Sequence, residues 1–245
     1  MELDRSVFRS QSKIMSAVAA NSTLHRSLAF WQATIGKKTV MAITGGILVG
    51  FTLVHMIGNL QVYLGAEVLN NYGHLLKSNM GVLWGARLFL LATLVLHLTA
   101  AFQLWSLKSK ARPVAYQKLT PTKSSYASRT MYISGPILFF FIVYHLSHLT
   151  TGQTHPQFDD GDVYRNLIFG FRDPVAFGAY LIAMACLGFH LTHGVWSAFQ
   201  SLGVNHPKYS PKLRNLATAL TALIVGGNIS IPVAVMFRLI GSEVQ

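Results

Sequence analysis

The chain has 245 residues, 51% of them hydrophobic and only 11% charged, with 20 Lys and Arg against 8 Asp and Glu and a formal net charge of +12. A soluble domain usually carries about 25% charged residues, so these proportions exclude an ordinary water-soluble globule and indicate an integral membrane protein. Cys186 is the single cysteine, which excludes a disulfide framework, a CxxC zinc site and a cysteine-held iron–sulfur cluster.

In chain order, residues 1–38 read as a polar, basic arm. No short apolar region with a small-residue cleavage site precedes the first long span, so no removable signal peptide is expected. Asn21-Ser22-Thr23 fits a glycosylation sequon, which on such an arm reads as chance. Five apolar segments follow, at 39–64, 82–107, 131–150, 174–202 and 216–239, each near the roughly 20 helical residues that cross a hydrocarbon core. Turn chemistry separates them: Gly65 and Asn70-Asn71-Tyr72-Gly73, Pro113 and Pro121, Gly152 to Gly161, and Asn205-His206-Pro207 with Pro211. Asp173-Pro174 reads as an N-cap with proline in the first helical turn. In the fifth span, Gly226-Gly227-Asn228 and Pro232 predict close packing or a kink. Strand-like alternation and short repeats are absent. The expected fold is therefore all-α, one five-helix membrane domain over 39–240 with a short tail at 241–245.

Basic residues set the orientation. The arm holds Arg5, Arg9, Lys13, Arg26, Lys37 and Lys38, the second connection Lys108, Lys110, Arg112, Lys118, Lys123 and Arg129, and the fourth Lys208, Lys212 and Arg214. All of these fall on one side. The other side has Lys77, Arg165, Arg172 and Arg238, diluted by Glu67, Asp159, Asp160, Asp162 and Asp173, with Arg87 inside the second helix near that end. The N-terminus is expected in the cytoplasm and the C-terminus outside, in the inner (cytoplasmic) membrane. Topology and anionic headgroups account for the positive charge better than nucleic acid does, and no nucleic-acid partner is expected.

Four of the apolar segments carry histidines, which are costly in a membrane helix and mark function there. At about 1.5 Å per residue, His55 and His145 lie roughly 21–24 Å from the inner face on outward-running helices. His97 and His190 lie roughly 22–24 Å from the outer face on inward-running ones. Two levels, each with one histidine from each of two parallel helices, match two stacked bis-histidine haems, whereas zinc prefers a compact four-ligand cluster. Gly45, Gly46, Gly50 and Gly58, with Gly188 and Gly194, would let a flat macrocycle approach the backbone, or serve helix packing instead. His148 and His193 lie one turn beyond His145 and His190, and either member of each pair could ligate. The second members could instead bond a propionate, meet quinone or pass a proton. His74, in the first outer connection, and His25, His155 and His206 read as solvated or interfacial.

These residues resemble the single-chain, five-helix, di-haem cytochrome b subunit that anchors succinate dehydrogenase and fumarate reductase. The resemblance is carried by Leu53-Val54-His55-Met56-Ile57-Gly58-Asn59-Leu60, by Gly65-Ala66-Glu67 with Asn70 and His74, and by Leu96-His97. It continues through Arg129-Thr130-Met131-Tyr132-Ile133-Ser134-Gly135-Pro136, Tyr144-His145-Leu146-Ser147-His148 and Phe189-His190-Leu191-Thr192-His193-Gly194-Val195-Trp196-Ser197, followed by Gly203. It runs from about Phe30 to Leu239. It implies that His55 and His145 hold an outer haem b and His97 and His190 an inner one, the pairing that depth gives independently. Some relatives lack a histidine at the position of His193, which favours His190 as the ligand.

The implied partners are a flavoprotein subunit with covalent FAD and an iron–sulfur subunit, both cytoplasmic, with a homotrimer of complexes left open. Lacking a Gly-rich dinucleotide fingerprint and clustered cysteines, the chain would not oxidise succinate alone. It would anchor those subunits and relay electrons to quinone, contributing to a succinate dehydrogenase (quinone). Glu67, Asn59, Gln61 and His74 are outer candidates for a quinone site or proton route, and Ser27, Trp31, Gln32, Ser128 and Arg129 inner ones. Resemblance to menaquinone-reactive members favours the outer group, and helix capping or interfacial anchoring is the competing role. Gln32 and Arg129 could equally contact haem propionates. The rival readings are the di-haem cytochrome b subunit of a hydrogenase or formate dehydrogenase, and a haem-free proton-conducting transporter.

Overall fold

A computed structural model describes residues 29–111, 126–155 and 157–244. Ser27, His25, the 21–23 sequon and the basic residues at 5, 9, 13, 26, 112, 118 and 123 lie outside the described residues, as does the side chain of Ser128. The long helices are α1 (Thr34–Asn59), extended by a 3-10 turn at Leu60–Leu64, α3 (Met80–Lys110), α4 (Tyr126–Leu149), α6 (Pro174–Ser201) and α7 (Ser210–Met236). Two short helices, α2 (Ala66–Lys77) and α5 (Val163–Arg172), fill connections, and no strand occurs among the described residues. Five helical segments are long and apolar enough to cross a membrane: Thr34–Leu64, Met80–Lys110, Arg129–Leu149, Pro174–Ser201 and Ser210–Met236. Joined in series, they bring Lys37, Lys38, Lys108, Lys110, Arg129, Lys208, Lys212 and Arg214 to one end of the bundle, here the basic end. The other is the capped end.

The first span starts earlier than hydropathy predicts because Lys37 does not end it. Its side chain is buried, and Nζ donates to the carbonyls of Trp31 and Gln32, both at 2.7 Å. The charge is spent on the preceding turn, and the helix continues through it. Three other helices begin with a side-chain cap. Asn79 Oδ1 accepts from Val82 N at the start of α3, Asp162 Oδ1 from Arg165 N at α5, and Asp173 Oδ1 from Val175 N at α6.

The connections at 65–81 and 150–173, expected as turns, differ most from expectation. Helices of 12 and 10 residues would be marginal alone. They form here because α2 and α5 pack on each other and on the bundle end. The turn-forming residues serve as cross-links: Asn70 Nδ2 donates to Asp162 Oδ1 at 2.9 Å, and Asn70 Oδ1 accepts from Tyr164 N at 2.9 Å. The main buried cluster lies here, with Val62, Leu69, Tyr164, Leu167, Ile168, Phe171, Tyr180, Ile231 and Val235. The C-terminal tail joins the cap, since Arg172 Nη2 donates to Gly241 O at 2.7 Å and Tyr164 Oη to Glu243 Oε1 at 2.6 Å. Burial, with the Glu243 carboxylate adding to it, pushes the Tyr164 hydroxyl up to about 12. The same bond holds the Glu243 carboxyl below its ordinary range.

Within the bundle, α1 packs on α3, α6 and α7, α4 on α6, and α6 on α7. The helices α1 and α4 share no extended packed face, nor do α3 and α6. α3 leans on α1 and leaves Trp84, Leu88, Phe89, Leu91, Val95 and Phe102 exposed, as suits a helix facing lipid.

Candidate bis-histidine sites

The histidines meet across those unpacked helix pairs. The rings of His55 on α1 and His145 on α4 lie 5.8 Å apart between centroids and perpendicular, at 90°. Those of His97 on α3 and His190 on α6 lie 6.5 Å apart at 57°. With metal–nitrogen bonds of about 2 Å on each side, two imidazoles sharing one iron have centroids roughly 6 Å apart, so both separations suit that chemistry.

Hydrogen bonding shows which ring nitrogen is available. Thr44 Oγ1 lies 2.7 Å from Val40 O, 3.2 Å from Met41 O and 3.1 Å from His97 Nδ1; with its proton given to Val40 O it accepts from His97, an arrangement that puts the His97 proton on Nδ1. Nε2 is then bare, the form in which a histidine ligates iron while a neighbour fixes its tautomer. Ser134 Oγ lies 3.5 Å from both His190 Nδ1 and Met131 O, which leaves the direction of its contact with His190 open. His145 Nδ1 meets Tyr180 Oη at 3.0 Å. His55 is the exception, since Asn59 Nδ2, one turn on, lies 3.0 Å from its Nε2 and must release that atom before it can face a metal.

The neighbouring histidines are built differently. His148 is 2% exposed, stacked on Tyr144 at 5.3 Å and beside His155 at 5.1 Å, with Nδ1 3.2 Å from Tyr180 Oη. Gly170 closes its remaining side: a Cβ there would come within 2.8 Å of His148 Cε1 and 3.1 Å of Nε2. The His148 ring is therefore enclosed, with no open space beside Nε2. His193 is half-buried, with Ser197 Oγ 3.0 Å from Nε2. The glycines also divide. Gly46, Gly50 and Gly194 have nothing within 4 Å of a built Cβ and leave room beside the helices. Gly45 lies against His97, Gly58 against Tyr72 and Gly188 against Val225, so these three serve packing.

His155, expected to be solvated or interfacial, is 5% exposed: Nε2 bonds Asn166 O at 3.0 Å and Nδ1 accepts from Gln157 N at 3.2 Å. The helix α5 folds over it, which a connection read as open turns could not foretell. His206 is exposed and stacks on Tyr209. Glu67 and His74 stand exposed in the first and last turns of α2. Gln32 and Arg129 are exposed at the basic end, and Gln61 is half-buried in the 3-10 turn. None of these five is hydrogen-bonded to a histidine of either pair, whereas Asn59 is bonded to His55.

Sequence reading missed Thr44, Ser134 and Tyr180. Thr44 and Ser134 look like ordinary helical hydroxyls, but depth could have found Tyr180. It sits near the capped end of α6, and His145 near the same end of α4. Among the described residues no three or more His, Cys, Asp or Glu side chains converge on one point, so the candidate ligands stand as two separate pairs. No family model matches the chain, and neither the curated proteins nor the solved structures give a match.

Proposed function

We propose that the chain is the di-haem cytochrome b membrane anchor of a succinate:quinone oxidoreductase, relaying electrons between a partner's iron–sulfur centres and membrane quinone. The observation that carries this reading is the pair of histidine couples bridging helices that do not otherwise pack. His55 with His145 would hold one haem b, and His97 with His190 the other. When bound, each haem supplies reversible one-electron redox at a bis-imidazole iron. The protein's part would be to hold the iron through these ring nitrogens, to fix their tautomers through Thr44, Ser134 and Tyr180, and to keep water from the rings.

The basic end would face the cytoplasm, with the N-terminus inside and the C-terminus outside. There it would dock the flavoprotein and iron–sulfur subunits. Quinone, menaquinone in this reading, would meet the capped end near Asn59, Glu67 and His74. His145 is preferred to His148 because His148 is walled in, and His190 to His193 because it is the His190 ring that meets His97.

Purification of the intact complex through a tag on this chain tests the assignment. The expected result is co-purification of a subunit with covalent FAD and one with iron–sulfur clusters, together with succinate-dependent quinone reduction. Recovery of a hydrogenase or formate dehydrogenase partner, or of no redox partner, would contradict it.

A further inference from the structure

We infer that Tyr180 is a positioning residue that fixes the proton order of the His145–Tyr180–His148 triad and so presents His145 Nε2 to iron. The inference rests on the proposed haem ligation. Tyr180 Oη lies 3.0 Å from His145 Nδ1 and 3.2 Å from His148 Nδ1. The side chain is 6% exposed, and its other close neighbours are the rings of Phe141, Phe171 and Tyr144, centred 4.9, 4.8 and 6.0 Å away. Two ring nitrogens therefore share one hydroxyl, which has one proton to give.

Two arrangements satisfy both contacts and also give the buried hydroxyl proton an acceptor. In one, Tyr180 donates to His145 Nδ1, which puts the His145 proton on Nε2 and removes its ligating lone pair. In the other, His145 Nδ1–H donates to Tyr180 Oη, and Tyr180 O–H donates to His148 Nδ1. Iron ligation by His145 Nε2 requires the second. His148 thus has a role without being a ligand: it accepts the tyrosine proton and leaves the hydroxyl oxygen free to accept from His145. Bonds in series polarise one another, so the triad gives His145 more imidazolate character than an isolated ring would have. A more basic ring nitrogen at His145 would favour the oxidised form of a haem bound there and lower the potential of that haem alone.

Tyr180→Phe, introduced into the full-length chain in its native membrane complex, keeps the ring packing and removes only the hydroxyl. Haem content and a spectroscopic redox titration are the readouts, with the haem of the His97–His190 pair identified from its loss in His97→Ala. The expected result is a raised potential, or weakened retention, confined to the haem of the His55–His145 pair. Two unaltered potentials, or equal shifts of both, would overturn the inference. A wild-type complex without haem would instead overturn the proposed function, so the two failures are distinguishable.

Discussion

The two ends of the bundle hold their histidines in different ways. At the capped end, His145 belongs to a buried run of rings, with Tyr180, His148 and His155, roofed by α5 and tied down by Asn70, Asp162 and Asn166. Towards the basic end, His97 and His190 each touch one hydroxyl of a neighbouring helix, Thr44 and Ser134. Tautomer control therefore needs no elaborate surroundings. On the proposed reading, a helical threonine whose proton goes to its own backbone would do it at one site, and a shared tyrosine at the other. What the cap adds is a wall around His148, whereas on α6 His193 stays half-buried beside Ser197.

The largest expected effect tests that last difference. His190→Ala should remove one of two haems and leave the other, with His193→Ala retaining both, measured by haem content per chain. Haem loss in His193→Ala but not in His190→Ala would reverse the assignment at the less walled site. Next comes Gly170→Ala. Its methyl would enter the space of His148 and His155, both buried, and should destabilise the cap by about 1–3 kcal/mol in thermal or denaturant unfolding. A neutral outcome would mean that the wall yields. Thr44→Val removes the hydroxyl beside His97 Nδ1 and should weaken haem retention at that pair by about 10–100-fold, read from the haem dissociation rate, with the other pair unaffected.

The smallest effect concerns the exposed ion pair at the cap margin. Lys77 Nζ lies 2.8 Å from Asp160 Oδ1, and this hydrogen bond holds the Asp160 carboxyl below its ordinary range. Because its folded value is depressed, the pair's contribution is present above the unfolded carboxylate pKa and is lost as pH falls through the folded one. Asp160→Asn should cost no more than about 1 kcal/mol at neutral pH, and the difference from wild type should vanish in acid. A difference that persists in acid would assign the effect to something other than the charge.

The spans and the histidine couples were legible in the sequence for physical reasons. Twenty apolar residues have few alternatives to a membrane helix, and a fixed rise per residue converts position into depth. Depth matched His55 to His145 and His97 to His190, and their rings approach in those same combinations. The helix ends were less legible, because Lys37 turns back on Trp31 and Gln32 where hydropathy places a charge outside the span. The cap was least legible. Asn70, Gly73, Gly161 and Asp162 are turn formers by composition, but the first and last bond across the α2–α5 contact, and Gly73 lies against Val163. Pairing of two short amphipathic helices is a tertiary event that local pattern does not record. The burial of His155 follows from it.

The central claim is tested most directly by the dithionite-reduced minus oxidised absorption spectrum of the purified chain, with its haem content measured on the same sample. Reduced b-type Soret and α bands with two haems per chain are the expected result. A chain purified intact from haem-replete membranes with neither band would contradict it.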